Sequence, residues 1–355
     1  MRPGWDTPPR HALVLAGGGI VGGVYEVGAL IALDALFDGF TTCDFDLYIG
    51  SSAGAFVAAL LANGVRPDTL RETLESDRGM LPRLSGTHFL SVPWRRHLET
   101  LPRLAAALPR AVLDLATHWR EALVLESLAT LAHHLPHGVF TLDGLQTWVR
   151  GALAAAGRSD DFADAPRRLL VPATALDTGA THVFGLVHPE PTPISVAVAA
   201  SAAIPIVFEP VRIDGVDYVD AAVTETAHER LATEHAANLV VMLNPIRPLL
   251  MADRLGAPIR DGGLPAIGGQ ALRIVAQRRL QDSLARVQEE RPDLDLMVLE
   301  PYEHDGQLFG YSLMTYDLRF EVIRRGYRTT AKTILGDHDR YAHMFQRHGI
   351  AVVPR

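Results

Sequence analysis

One cysteine, Cys43, in 355 residues leaves no partner for an internal disulfide and fits a reducing compartment. Positive charge is also short: 41 acidic against 33 basic side chains give a net charge of −8, so bulk electrostatics do not draw the chain toward nucleic acid. The opening residues 1–10, MRPGWDTPPR, lack the apolar stretch of a signal peptide, and a cytoplasmic location is expected. Long uncharged runs are scarce. The longest, Pro191 to Phe208, approaches the length of a membrane span, yet Pro193, Pro205 and many small residues read better as a buried segment beside a sheet. No H-E-x-x-H pattern occurs. His133, His134 and His137 cluster beside Pro136 without a cysteine, which reads as a solvated helix end, so no metal is assigned.

What is present is apolar bulk, with glycine in particular places. At 48% apolar residues the chain can bury the core of one large α/β domain with insertions, or of two domains. Its organising stretch is Leu47 to Leu61, LYIGSSAGAFVAALL, where a short apolar run ends in Gly50-Ser51-Ser52-Ala53-Gly54 and a helical pattern begins at once. This is a G-x-S-x-G elbow. Small residues let neighbouring backbone approach a serine at a tight strand-to-helix turn, with the hydroxyl at a helix N-terminus whose partial positive charge favours an oxyanion. The bare pattern is common; its strand–turn–helix setting gives it weight.

Upstream, His11 to Ala16 reads as a buried strand stopped by Gly17-Gly18-Gly19, and apolar residues recur at helical spacing from Val24 to Phe37. Two uses of such a loop compete. A dinucleotide site would need G-x-G-x-x-G in register and an acidic residue closing the next strand, but the order is GGGIVGG, and Asp44 and Asp46 precede their strand. The other use is an oxyanion hole, in which successive glycine N–H groups face a developing negative charge. Two strand–glycine–helix units in succession imply parallel strands with a shared C-terminal edge, which would bring Gly17 to Gly19 beside Ser52.

Residues 80–140 change character, with Arg95, Arg96, Arg103, Arg110 and Arg120 among apolar residues and prolines. They read as a solvated helical insertion, or as a lid whose Phe89, Trp94 and Trp119 enter lipid and give peripheral membrane contact. Further on, Arg168 to Ala175 is a strand, Thr181 to Val187 an alternating strand, and Ser195 to Pro210 a small-residue helix stopped by Pro205. Val211 to Val219 reads as a hairpin around Asp214-Gly215 that delivers Asp220 to a strand end. By residue type alone, Asp220 is as readily a turn aspartate capping backbone N–H groups. Leu239 to Leu243 is a last clear parallel strand, and Pro245 to Pro265 a connection. Gln270 to Glu290 is a helix, Leu294 to Glu300 a strand, and Tyr316 to Leu335 a final helix whose Arg319, Arg324, Arg325 and Arg328 form a solvated or salt-bridged face. The expected organisation is a core at 1–245, with the insertion at about 80–140, and an extension at 246–355 packed on it.

The ordered set of motifs resembles the patatin-like phospholipases, a family of serine acylhydrolases. The likeness is carried by Gly17-Gly18-Gly19, the helix start YEVGAL at Tyr25, Gly50-x-Ser52-x-Gly54, VPATALDTG, Ser201-Ala202-Ala203-Ile204-Pro205 with Phe208 and Pro210, and Asp220. It covers Leu13 to about Val223. The resemblance implies a three-layer α/β/α fold with a mostly parallel sheet, a lipid or ester substrate, and hydrolysis of phospholipase A or lysophospholipase type. It further implies Ser52 as nucleophile, Asp220 as general base, the backbone of Gly17, Gly18 and Gly19 as oxyanion hole, and no cofactor. An aspartate needs a desolvated site to be basic enough for that role, and Tyr218, Val219, Ala221 and Ala222 could supply one.

Two departures from the family pattern stand out. Ile20-Val21-Gly22-Gly23 carries no Arg or Lys after the triple glycine, and Ala221-Ala222 replaces a glycine pair after the aspartate. Thr224-Glu225-Thr226 also lacks the family's asparagine. These keep open a second reading, a catalytically weak lipid-binding or regulatory protein. A third, an α/β-hydrolase triad in the order Ser, Asp, His, has His228, His235, His304 and His338 available after Ser52 and Asp220, although the elbow follows only two strands.

Overall fold

The computed structural model describes residues 10–350 apart from 38, 77–78, 95–97, 99–101, 103–136, 250–257 and 303–313. Arg95, Arg96, Arg103, Arg110, Trp119, Arg120, His133, His134 and His304, singled out from the sequence, lie outside the described residues.

The first unit follows from its glycines. His11–Leu15 (β1) is wholly buried and Gly19–Leu36 forms the first helix (α1). The helix begins five residues before its apolar repeat because Gly19, at φ 61°, turns the chain in a conformation that costs glycine nothing, and Ile20 and Val21 already face the core. Leu47–Gly50 (β2) and Ala53–Ala62 (α2) form the second unit. β1 and β2 pair in parallel with Leu15 beside Gly50, so both glycine turns leave the same sheet edge. α1 is long and apolar enough to cross a membrane, but 72% of that stretch is buried inside the fold, where it serves as a core helix.

Next come the helices Pro67–Glu75 (α3) and Gly86–Phe89 (α4), the strand Gly138–Phe140 (β3) and the helix Asp143–Ala155 (α5). Arg168–Ala175 (β4), Thr181–Phe184 (β5) and the helix Ile194–Ser201 (α6) follow. This small-residue helix ends four residues before Pro205, and the chain continues into Ile206–Phe208 (β6), which pairs with β3 in a separate two-stranded sheet. Val211–Ile213 (β7) and Val216–Val219 (β8) form the expected hairpin, turned by Asp214 and Gly215 at positive φ.

Arg230–Glu234 (α7), Leu239–Leu243 (β9), Gly263–Glu290 (α8), Asp295–Leu299 (β10), Arg319–Gly336 (α9) and His338–Arg347 (α10) complete the described chain. The main sheet has eight strands in the order β10-β9-β1-β2-β4-β8-β7, with β5 also on β4. From β10 to β4 the pairing is parallel; β5, β8 and β7 add antiparallel ladders.

Alternation along the strands produces the layers. Leu13, Leu15 and Tyr48 face one core with α1 and α2, whereas Ala12, Val14, Leu47 and Ile49 face the other with Ala227, Ala232 and Leu280. A central sheet buried on both faces reads as near-continuous hydrophobic runs, as β1 and β9 do. α9 crosses α1 at backbone contact. A Cβ on Gly28 would lie 2.1 Å from the Ile323 carbonyl oxygen, and one on Gly326 would lie 2.3 Å from that of Tyr25.

Candidate active site

Ser52 sits between β2 and α2 with φ 54° and ψ −123°, a region that a residue with a side chain occupies only under constraint. The glycines around it impose the constraint. A Cβ on Gly54 would stand 2.3 Å from the Leu15 carbonyl oxygen, and one on Gly50 would stand 2.5 Å from that of Gly54. The elbow is thereby pressed against β1, and Ser52 is 4% exposed. Its N–H donates to Ser201 Oγ at 2.9 Å, a buried hydroxyl at the end of α6.

The glycine loop lies directly over the serine. A Cβ on Gly17 would come within 2.8 Å of Ser52 Cβ and 3.4 Å of its Oγ, so only glycine leaves that hydroxyl uncovered. Among the described residues the N–H groups of Gly17, Gly18 and Gly19 have no hydrogen-bond acceptor. Pro245, just past β9, backs the loop: a Cβ on Gly18 would be 2.9 Å from its ring and one on Gly22 3.1 Å. Where the family has a cation, Ile20 and Val21 are packed into the core.

Asp220 follows β8 and is 3% exposed. One carboxyl oxygen, Oδ1, accepts from the Ala222 N–H at 2.8 Å and caps the single 3-10 turn Ala221–Val223. The capping role read from its residue type is therefore real. The other oxygen, Oδ2, is buried and makes no hydrogen bond among the described residues. Burial pushes the carboxyl up from 3.8 to about 6, against the lowering pull of the Ser52 hydroxyl and the Ala222 N–H. Ser52 is near enough for that pull, but the pair lacks full hydrogen-bond geometry. Neither Ala221 nor Ala222 takes a positive φ, so the missing glycine pair leaves this turn unstrained.

The histidines go elsewhere. His228 Nδ1 meets the hydroxyl of Ser51, not Ser52, at 3.0 Å; either atom can donate, according to the ring's tautomer. Burial pushes His228 down from 6.5 to about 4, so the ring is neutral at physiological pH, and its Nε2 has no partner among the described residues. His235 bonds its own helix at Leu231, and His338 lies beside Asp339. Among the described residues no histidine hydrogen-bonds Ser52, and no group of three or more His, Cys, Asp or Glu is placed to hold a metal ion.

Beside Ser52 opens a narrow, mostly apolar cavity of about 50 Å³. α1 contributes Ile20, Val24 and Val27, α2 contributes Phe56, and Leu84 and Phe89 come from the start of the 80–140 region. Met314 and Tyr316 close it from the C-terminal part. Among the described residues no charged side chain lines it. Sequence reasoning located the serine, the loop and the aspartate. It missed Ser201 as a partner of the serine backbone, although that residue opens the Ser-Ala-Ala-Ile-Pro motif, and it weighed His228 only as a triad member. Pro245 and Tyr316 carried no local signal, because their contacts span most of the chain.

The strained serine on a strand-to-helix turn, the glycine loop over it and the buried aspartate lie together at one place in the fold. The sequence model of the patatin-like phospholipase family matches residues 13–232, and the chain belongs to that family, whose members are lipid hydrolases. Among solved structures, it is similar to VipD from Legionella pneumophila at 16% identity and TM-score 0.40, over 94% of this chain and 67% of that one. It is also similar to the type III effector ExoU of Pseudomonas aeruginosa, at 16% identity and TM-score 0.38, over 93% and 53%. Human GIVD cytosolic phospholipase A2 gives 13% identity and TM-score 0.37, over 93% and 59%. The chain thus spans about half to two thirds of these larger proteins. No curated protein gives a significant match.

Proposed function

We propose that the protein hydrolyses a carboxylic ester of a lipid through an acyl-enzyme on Ser52. The observation that carries this reading is the pairing of a strained, nearly buried Ser52 with an Asp220 whose carboxyl is raised to about 6 by burial. A carboxylate of that basicity is matched to a proton transfer near neutral pH. In this mechanism Asp220 takes the serine proton as Ser52 Oγ attacks the ester carbonyl. The resulting oxyanion is met by the unengaged N–H groups of Gly17, Gly18 and Gly19. Asp220 returns the proton to the leaving alcohol, then draws one from the attacking water and passes it to Ser52 Oγ as the acid is released. Each well-placed oxyanion donor is worth about 10²–10³ in kcat and the base about 10²–10⁴.

The α6 hydroxyl of Ser201 supports the same reading, because it occupies the Ser52 N–H and so fixes the nucleophile's backbone. A fluorophosphonate probe tests the proposal. Labelling of the wild type that disappears in Ser52→Ala is expected. A folded wild type that takes no label would replace hydrolysis by lipid binding without turnover. Products from a panel of lipids and short-chain esters would then fix the head group and the position cleaved.

A further inference from the structure

Ser51 and Ser52 are neighbours that face opposite sides of the sheet. Ser52 meets the cavity, whereas Ser51 continues the face of Leu47 and Ile49, where Ala227 and Leu280 pack. There the Ser51 hydroxyl, wholly buried, meets His228 Nδ1 at 3.0 Å. Backbone bonds hold the same turn: the Ser51 N–H donates to the Leu15 carbonyl at 3.0 Å, and the Gly54 N–H donates to the Ser51 carbonyl at 2.9 Å. On the front face Ser201 takes the Ser52 N–H. A serine at φ 54° persists only where its surroundings over-determine it, and these bonds do so from both faces.

His228 is itself constrained. It stands at φ 57° just ahead of α7, is 2% exposed, and its carbonyl accepts from the Leu231 N–H at 3.1 Å. Its Nε2 makes no hydrogen bond among the described residues, so Nδ1 carries the ring's polar contact there. The chain between Asp220 and His228 is fastened along its length. The Asp220 N–H donates to the Ala203 carbonyl at 2.9 Å, the Thr174 hydroxyl donates to the Asp220 carbonyl at 3.0 Å, and the Thr226 hydroxyl donates to the Ala276 carbonyl at 3.0 Å. The Ser51–His228 bond thus ties the segment that carries Asp220 to the elbow that carries Ser52, from behind the sheet.

We propose that His228 is a positioning residue for the reaction at Ser52: its Nδ1 holds Ser51, which fixes the strained backbone of Ser52 and keeps that serine in register with Asp220. The proposal rests on the reading of Ser52 as acyl acceptor. It asks no proton transfer of the ring, which touches Ser51 and not the nucleophile. A misplacement of about 1 Å at a reacting centre costs about 10²-fold, so a bond that sets the serine's backbone is felt in kcat from the far face.

The test separates the two ring nitrogens. Asparagine places a side-chain oxygen or nitrogen as many bonds from Cα as histidine Nδ1 and tolerates a left-handed backbone, whereas glutamine reaches toward the place of Nε2. His228→Ala should lower kcat for ester hydrolysis, and the rate of fluorophosphonate labelling, by at least about 10-fold, with KM changed by less than about 3-fold. His228→Asn should restore most of the loss and His228→Gln should not. Ser51→Ala should match His228→Ala, and the double variant should be no worse than either alone. Thermal unfolding checks that each variant is folded; where His228→Ala is not, Ser51→Ala and the Asn and Gln variants carry the comparison. Amide exchange across residues 51–54, followed by mass spectrometry, needs no turnover and should be faster in the Ala and Gln variants than in wild type or His228→Asn. Wild-type kcat in a folded His228→Ala, additive losses in the double variant, or equal rescue by Asn and Gln would overturn the inference. A wild type that takes no label, while exchange at the elbow still follows residue 228, would overturn the hydrolase reading and leave the positioning role standing.

Discussion

Replacing Asp220 by asparagine should remove activity and stabilise the fold, and the size of the second effect follows from burial. The native carboxyl titrates at about 6 against 3.8 for an exposed one. Between those values the folded chain keeps a proton that the unfolded chain releases. The Asp220 contribution is therefore fully present below about 3.8 and is lost as pH rises through about 6, a change of about 3 kcal/mol. The replacement amide keeps an oxygen that accepts from the Ala222 N–H and carries no charge. The stability of Asp220→Asn minus that of the wild type should thus grow by up to about 3 kcal/mol across this window and stay flat above it. His228 works in the opposite sense. Its ring refuses a proton down to about 4, while the unfolded ring accepts one near 6.5, so its contribution falls as pH drops through that interval, again by about 3 kcal/mol. The two slopes nearly cancel in the wild type, and removing either side chain uncovers the other. Urea unfolding followed by tryptophan fluorescence, from pH 4 to pH 8, measures each difference curve. An Asp220→Asn curve parallel to the wild type at every pH would refute the assignment of a raised carboxyl, and with it the argument that Asp220 is basic enough to activate Ser52.

Three further outcomes follow from the same geometry. Wild-type kcat/KM should rise with pH through about 6 and then level, because the base must be ionised; a profile that stays flat down to pH 5 would place the base elsewhere. Ser201→Ala leaves the Ser52 N–H buried and unpaired, at a cost of about 1–3 kcal/mol, and should lower kcat more than it raises KM; steady-state kinetics read both. Gly54→Ala forces a methyl group against the Leu15 carbonyl, so it should cost about 1–3 kcal/mol in chemical denaturation and abolish probe labelling, while Gly215→Ala, at an open hairpin turn, should still label.

The sequence exposed those parts of the site that depend on local backbone. Gly50 is legible because an atom a few residues away, the Gly54 carbonyl, requires it, Gly54 because the strand-to-helix turn it closes is itself a local pattern, and the Asp214-Gly215 turn because its φ values demand those residue types. Parallel pairing of β1 and β2 followed from two successive strand–glycine–helix units. Helix ends were harder. α1 starts at Gly19 and not Val24, because tertiary burial of Ile20 and Val21 extends it through glycines that disfavour helix. The small-residue helix ends at Ser201, where that hydroxyl turns to Ser52, and not at the proline that follows. What pattern reasoning missed is long-range. Ser51 finds His228 and Leu84 finds Tyr316 only after the sheet is assembled, and no spacing in the sequence encodes either contact.

The glycine contact between α1 and α9 bears on the order in which the protein is made. α1 is made long before α9, yet the close backbone contacts of Gly28 with Ile323 and of Tyr25 with Gly326 form only once α9 has been synthesised. β1 likewise waits for β9, its second neighbour. The Ser52 elbow is made long before Met314 and Tyr316, which wall its cavity just ahead of α9. The elbow of a growing chain therefore stands beside an open cavity until residues 314–316 join the fold.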